Sequence, residues 1–170
     1  MMMLSNILVN RESIVPLVAA LLSMGVIRII LRRRRARPVN KMFLLYNFSI
    51  LSWSLLSFLR MNLTMWLDPE GAKFRLLLPL LVLALFLSIS SVATHWFLLG
   101  AVYAGKKEWL GGWRRAVIYL PFVWTLVFLS NDTLRPLFGR VSGVELNALG
   151  PAFWAFLAIA YSLIIWPLRW

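Results

Sequence analysis

The chain has 170 residues, of which 61% are hydrophobic and only 14% charged, and its mean hydropathy is +0.80; a soluble domain carries about a quarter charged residues, so water is excluded as its main solvent. The net charge of +12 sits in short blocks between long apolar runs and not along a polar face, which argues against a nucleic-acid partner. There is no cysteine, so the chain has neither a disulfide framework nor a thiolate metal site.

A bilayer core of about 30 Å needs about 20 apolar residues in helix. Five stretches approach that length, at 13–31, 42–62, 76–100, 116–130 and 151–168. None alternates with period two as a barrel strand would, so the expected fold is all-α: one polytopic transmembrane helical bundle of about five helices, forming a single domain over residues 1–170.

The first stretch is followed by Arg32, Arg33, Arg34, Arg35 and Arg37. A secretory signal carries its positive charge before the apolar run and has a small-residue cleavage site after it, so this segment reads as a retained first helix. Short loops rich in Lys and Arg stay cytoplasmic. That rule places the N-terminus outside and the C-terminus inside. Twelve of the eighteen basic residues then fall inside: Arg28, the five arginines of the block, Lys41, Lys106, Lys107, Arg114, Arg115 and Arg169. The arginine block is expected to contact lipid headgroups, and Arg28, one turn earlier, to snorkel to the same level.

On the second helix Tyr46, Asn47, Ser49, Ser54 and Ser57 share one broad arc, with Ser52 off it. On the third, Ala84, Ser88, Ser91 and His95 form a stripe at i, i+3 and i+4 spacings. Small and polar stripes in membrane helices face other helices, each polar contact being worth about 0.6 to 2 kcal/mol. The fourth stretch is short and holds Pro121, which a span tolerates when neighbours satisfy the freed carbonyl. Trp66 is placed near the outer boundary and Trp109, Trp113, Trp166 and Trp170 near the inner one. Trp53, Trp96, Trp124 and Trp154 are expected to fill volume between helices.

All six acidic residues, Glu12, Asp68, Glu70, Glu108, Asp132 and Glu145, fall in loops or at helix ends. This counts against proton-coupled transport and intramembrane aspartyl proteolysis, which need acids inside the bundle. There is no nucleophile with a base, no phosphate-binding glycine loop and no metal-ligand cluster, so neither catalysis nor a cofactor is expected. His95 lies well inside a span, which makes it a functional candidate. Its plainest role is a neutral hydrogen bond across a helix contact, beside Ser88 and Ser91; the second is a ligand- or pH-sensing group.

Several landmarks occur in a telling order: Arg37-Pro38-Val39-Asn40, Trp53, His95-Trp96-Phe97, Tyr103-Ala104-Gly105-Lys106, Pro121, Leu129-Ser130-Asn131, Leu137-Phe138, Gly150-Pro151-Ala152-Phe153-Trp154 and Tyr161. Together they resemble the seven-helix membrane sensor domain at the N-terminus of some bacterial histidine kinases and diguanylate cyclases. The resemblance implies a bacterial inner-membrane receptor module that passes a conformational change to a cytoplasmic output. Its ligand-sensing candidates are His95, Ser88 and Ser91 in the third helix and Trp66, Asn131 and Trp154 at the outer end. Its partners would be membrane lipids and a signalling kinase or cyclase, with no nucleic acid. Two departures stand out. The sequence reaches Trp170 directly after the fifth helix, and the histidine that often follows the Asn is absent, with Leu134 and Arg135 nearby. The expectation is therefore a five-helix version without its own output, the alternative being a small structural or accessory subunit of a membrane complex.

Overall fold

The structure is a computed structural model that describes residues 11–32, 38–68, 71–131, 133–134, 136, 139–142 and 145–169, with only the backbone described at 64, 65, 107, 139–142 and 145–149. It is a helical bundle. A short 3-10 turn, Arg11–Ser13, leads into α1, Ile14–Arg32. Pro16 falls in the first turn of α1, where its missing N–H costs nothing. The next helix, α2, spans Pro38–Trp66 and opens on a proline, whose fixed φ suits that position.

The third helix, α3, spans Ala72–Tyr103. It ends in a Schellman motif: Lys106 N–H donates to Ala101 O at 2.8 Å and Gly105 N–H to Val102 O at 3.3 Å. Gly105 makes the reversal at φ 70°, a left-handed conformation that favours glycine. Both α2 and α3 run past the expected 42–62 and 76–100. At 29 and 32 residues they are about 43 and 48 Å long, well beyond the apolar core. Hydropathy marks where lipid is, whereas helical hydrogen bonding continues through the polar flanks.

The expected fourth span is two short helices, α4 at Gly112–Ile118 and α5 at Leu120–Ser130. Pro121 explains the break. Lacking an N–H, it cannot continue the α-helical ladder back to Val117, and its ring crowds that carbonyl. The turn tightens at Tyr119, where Phe122 N–H bonds to Tyr119 O at 3.0 Å in place of Ile118 O. The freed Ile118 carbonyl is met from α3 by Thr94 Oγ1–H at 3.0 Å. One turn away, Ser90 Oγ reaches Thr125 Oγ1 at 3.1 Å and Pro121 O at 3.3 Å, while also bonding to Phe86 O of its own helix at 2.9 Å. Ser90, Thr94 and Thr125 are fully buried.

A small antiparallel hairpin follows, β1 at Gly139–Ser142 with β2 at Glu145–Leu149, in a register that pairs Gly139 with Leu149 and is bulged between Arg140 and Val141. The expected loop at this place thus contains local backbone pairing. The last helix, α6, spans Pro151–Ile165 and closes in a 3-10 turn, Trp166–Arg169. Among the described residues four helical stretches are long and apolar enough to cross a membrane, namely Arg11–Arg32, Pro38–Leu63, Ala72–Tyr103 and Pro151–Arg169, with Leu120–Ser130 a shorter apolar helix.

The third helix is the hub, packed against α2, α5 and α6, while α1 packs on α2. Two apolar clusters lie along it. One joins Leu63, Phe74, Leu78, Val82, Phe86, Leu129, Ala152 and Phe156; the other, toward the C-terminal end of α3, joins Phe97, Leu98, Ala101, Ile118 and Leu163. Phe86 stands edge-on to Phe153 and Phe156, with centroids 6.0 and 5.9 Å away, a favourable arrangement of ring quadrupoles. The terminal turn docks on α3 at Gly100, where a Cβ would lie 2.5 Å from Pro167 Cβ.

That close approach is testable. Gly100→Val should destabilise the bundle by about 1–3 kcal/mol, because a rigid proline cannot yield without backbone movement. Gly25→Val, with open space around its Cβ position, should leave stability nearly unchanged. Unfolding midpoints of the two variants in mixed micelles decide between them, and equal midpoints would contradict the docking.

Candidate functional site

The polar arc expected on α2 is largely buried: Asn47, Ser49 and Ser54 are 6%, 5% and 2% exposed, whereas Ser52, off the arc, is exposed. Asn47 secures itself by donating to Phe43 O at 2.8 Å. The stripe on α3 turns toward this arc, and one pair closes across it, Ser49 Oγ to His95 Nδ1 at 2.7 Å. Ser49 also lies 3.0 Å from Leu45 O. A serine hydroxyl has one hydrogen and two lone pairs, so the two contacts are linked. If Ser49 donates to Leu45 O, His95 Nδ1 must carry the proton that Ser49 accepts. If Ser49 donates to the ring, Nδ1 is bare. A doubly protonated imidazole is compatible only with the first arrangement, which keeps both bonds.

The neighbouring residue extends the link to a third helix. Trp96 stacks at a tilt on Tyr46 of α2, centroids 5.5 Å apart. Its Nε1–H donates to Ile164 O at 3.0 Å. Ile164 lies in the last turn of α6, where carbonyls run out of helical partners. Around this seam the α2–α3–α6 surface is grooved. A cavity of about 240 Å³ is lined by Trp53, Ile89, Val92, Ala160 and Tyr161 among others, and one of about 580 Å³ by Phe43, Trp96, Gly100, Tyr103 and Pro167 among others. These walls are apolar and aromatic, the chemistry of a site for a hydrophobic group.

Of the expected site residues, then, His95 is half-buried in an interhelical link, and its partner is Ser49. Ser88 and Ser91 share its side of α3, but their hydroxyls turn back to Ala84 O and Leu87 O at 2.9 and 3.0 Å. Trp66, Asn131 and Trp154 lie at the other end of the bundle, all exposed. Trp66 stands edge-on to Phe58 at 6.0 Å and Trp154 to Phe153 at 5.8 Å. Asn131 uses its carboxamide oxygen to accept Thr133 N–H at 2.9 Å and Leu134 N–H at 3.3 Å, an Asx turn that ends α5. Among the described residues no hydrogen bond or ring contact joins these three. Of the expected headgroup arginines, Arg32 is exposed at the end of α1; Arg33, Arg34, Arg35 and Arg37 lie outside the described residues.

Four side chains that the helical stripes did not single out carry contacts between elements. Ser90, Thr94 and Thr125 secure the broken α4–α5 segment, and Trp124 Nε1–H donates to Ala152 O at 2.9 Å, joining α5 to α6. The signal for Ser90 and Thr94 was their own i, i+4 spacing opposite a proline-broken helix that needs donors. Two tryptophans behave against expectation. Trp53 and Trp154 are 42% and 59% exposed and do not fill the interior. Trp109, expected at a headgroup boundary, packs between Phe97 and Trp166, centroids 5.1 and 6.1 Å away, with the Arg114 guanidinium 5.5 Å from its ring. Trp170 lies outside the described residues. No three His, Cys, Asp or Glu side chains gather as a metal site among the described residues.

Neither the curated proteins nor the solved structures contain a match to this chain. A family model does match, the N-terminal 7TM region of histidine kinase, over residues 15–168. That span runs from the start of α1 to the turn that docks on Gly100 and includes the Ser49–His95 link and the Trp96 bridge. The chain is an integral membrane protein that belongs to the family of histidine-kinase N-terminal 7TM regions, the membrane sensor part of such kinases.

Proposed function

We propose that this chain is a non-catalytic sensory module of the bacterial inner membrane, with its N-terminus outside and its Arg32 end and C-terminus in the cytoplasm. It would pass a stimulus to a kinase or cyclase. Family membership supports the class of function, and the lysine and arginine bias supports the orientation. The described acids fit a module without chemistry of its own, since Glu12, Asp68, Glu108 and Glu145 stand at helix ends, in turns or in the hairpin.

The observation that carries the reading is the seam along α3. One serine hydroxyl placed between a backbone carbonyl and an imidazole couples α2 to α3, and the adjacent Trp96 couples both to α6. Moving the Ser49 hydrogen from one partner to the other changes the ring tautomer that the contact accepts without breaking the helix packing. A stimulus that favours one arrangement therefore biases how α2 sits on α3, provided it binds the two arrangements with different affinity. The apolar cavities beside the seam suit a lipid-borne or hydrophobic stimulus.

Orientation is checked by reporter fusions after residues 38, 68, 110, 142 and 170 in the intact membrane. The expected order is inside, outside, inside, outside, inside; any other order removes the proposed topology. Signalling is checked by affinity purification of the full chain from its native membrane, with Ser49→Ala and His95→Ala compared against the unaltered chain. A co-purifying kinase or cyclase whose activity changes in both variants supports the module. Co-purification with a transporter or secretion complex instead would favour an accessory subunit. In a double-mutant cycle the Ser49–His95 coupling should be about 0.6 kcal/mol and no more than about 1.7, the range of such bonds between membrane helices.

A further inference from the structure

The crevice between α1 and α2 contains two guanidinium groups. Arg28 and Arg32 line a cavity of about 630 Å³ together with Met24 and Leu31 of α1 and Phe48 and Leu51 of α2. Met24, Arg28 and Arg32 follow one another at i, i+4 and i+8, so the crevice runs about 12 Å along α1 from an apolar end to a charged one. Among the described residues neither arginine has a hydrogen-bond or ion-pair partner.

Two like charges one turn apart on a helix repel each other, and in an apolar wall they do so with little water to screen them. An anion shared between them removes that repulsion, and the guanidinium fork suits a phosphate. Beyond the arginines the walls are apolar, so what enters must carry its charge at one end and hydrocarbon at the other.

We propose that the α1–α2 crevice is a binding site for one anionic phospholipid, its phosphate held between Arg28 and Arg32 and an acyl chain laid along Met24, Phe48 and Leu51. Snorkelling alone would take the Arg28 head to the membrane surface with no preference among lipids. The crevice gives it a partner at depth. Since α1 packs on α2, the bound lipid becomes part of the seam that holds the first helix. The site stands whether or not the chain signals.

The test uses the full chain in micelles, titrated with phosphatidylglycerol or phosphatidylcholine, with bound lipid counted by native mass spectrometry. The unaltered chain should retain one phosphatidylglycerol and no phosphatidylcholine. Arg28→Gln and Arg32→Gln should each weaken retention about tenfold, the effect of one charge-assisted contact. Leu51→Trp, which fills the apolar end and keeps both arginines, should weaken it as well. Replacing an arginine by glutamine in an apolar wall removes a charge from lipid and so favours insertion; should either variant still fail to fold, Leu51→Trp decides alone. Equal retention of the two lipids, unchanged retention in Leu51→Trp, or displacement by millimolar inorganic phosphate would overturn the proposal, the last by showing an anion site with no lipid requirement.

Discussion

In hydrocarbon a backbone carbonyl that loses its helical partner has no water to turn to, and an unmet group there costs several kcal/mol. Pro121 creates that problem in the middle of this bundle, and the structure around it is the answer. Thr94 supplies a hydroxyl to the Ile118 carbonyl, while Ser90 bridges Pro121 O and Thr125. Because both donors sit on α3, the break between α4 and α5 is fixed at one height along that helix. The same requirement fixes the apolar neighbours: Ile118, at the end of α4, is fully buried against Phe97 and Ala101. A polar obligation thereby sets the register of an apolar contact, which the hydrophobic effect cannot do between helices already dissolved in lipid.

With one edge of α3 committed in this way, its other edges become available for different tasks. Ser90 and Thr94 stand roughly a third of a turn from His95 at helical spacing. The first pair faces the broken helix, His95 faces α2, and Trp96 reaches α6 from between them. The α4–α5 side is closed by several mutually supporting bonds among fully buried groups. On the α2 side, Ser49 meets His95 and Tyr46 meets the Trp96 ring, beside apolar cavities.

Much of this was legible in the sequence. The four long helices follow from apolar runs of bilayer length, and the buried arc on α2 and the stripe on α3 follow from 100° spacing. Periodicity, however, names a face on one helix and not its height against another. That is why His95 and Ser49 were each placed on a buried face, yet His95 was set beside Ser88 and Ser91, which bond their own backbone. Ser90 and Thr94 form an equally regular pair, but a hydroxyl that answers a proline about thirty residues later is visible only once the two helices are side by side. The helix ends were missed because composition changes at the lipid boundary while the hydrogen-bond ladder does not. The hairpin at 139–149 arises from local strand pairing without an apolar run to announce it.

The tryptophans show the same limit from the side of energy. A ring with one N–H can lie at a headgroup boundary, fill a core, or donate to a carbonyl, and hydropathy does not choose among these. Trp96 and Trp124 donate to α6 near its two ends, at Ile164 and Ala152, so α6 is clamped to α3 at one end and to α5 at the other. Trp109 closes the end nearest the Schellman turn by stacking between α3 and the terminal turn. Hydrogen bonds from tryptophan thus tie α3, α5 and α6 to one another.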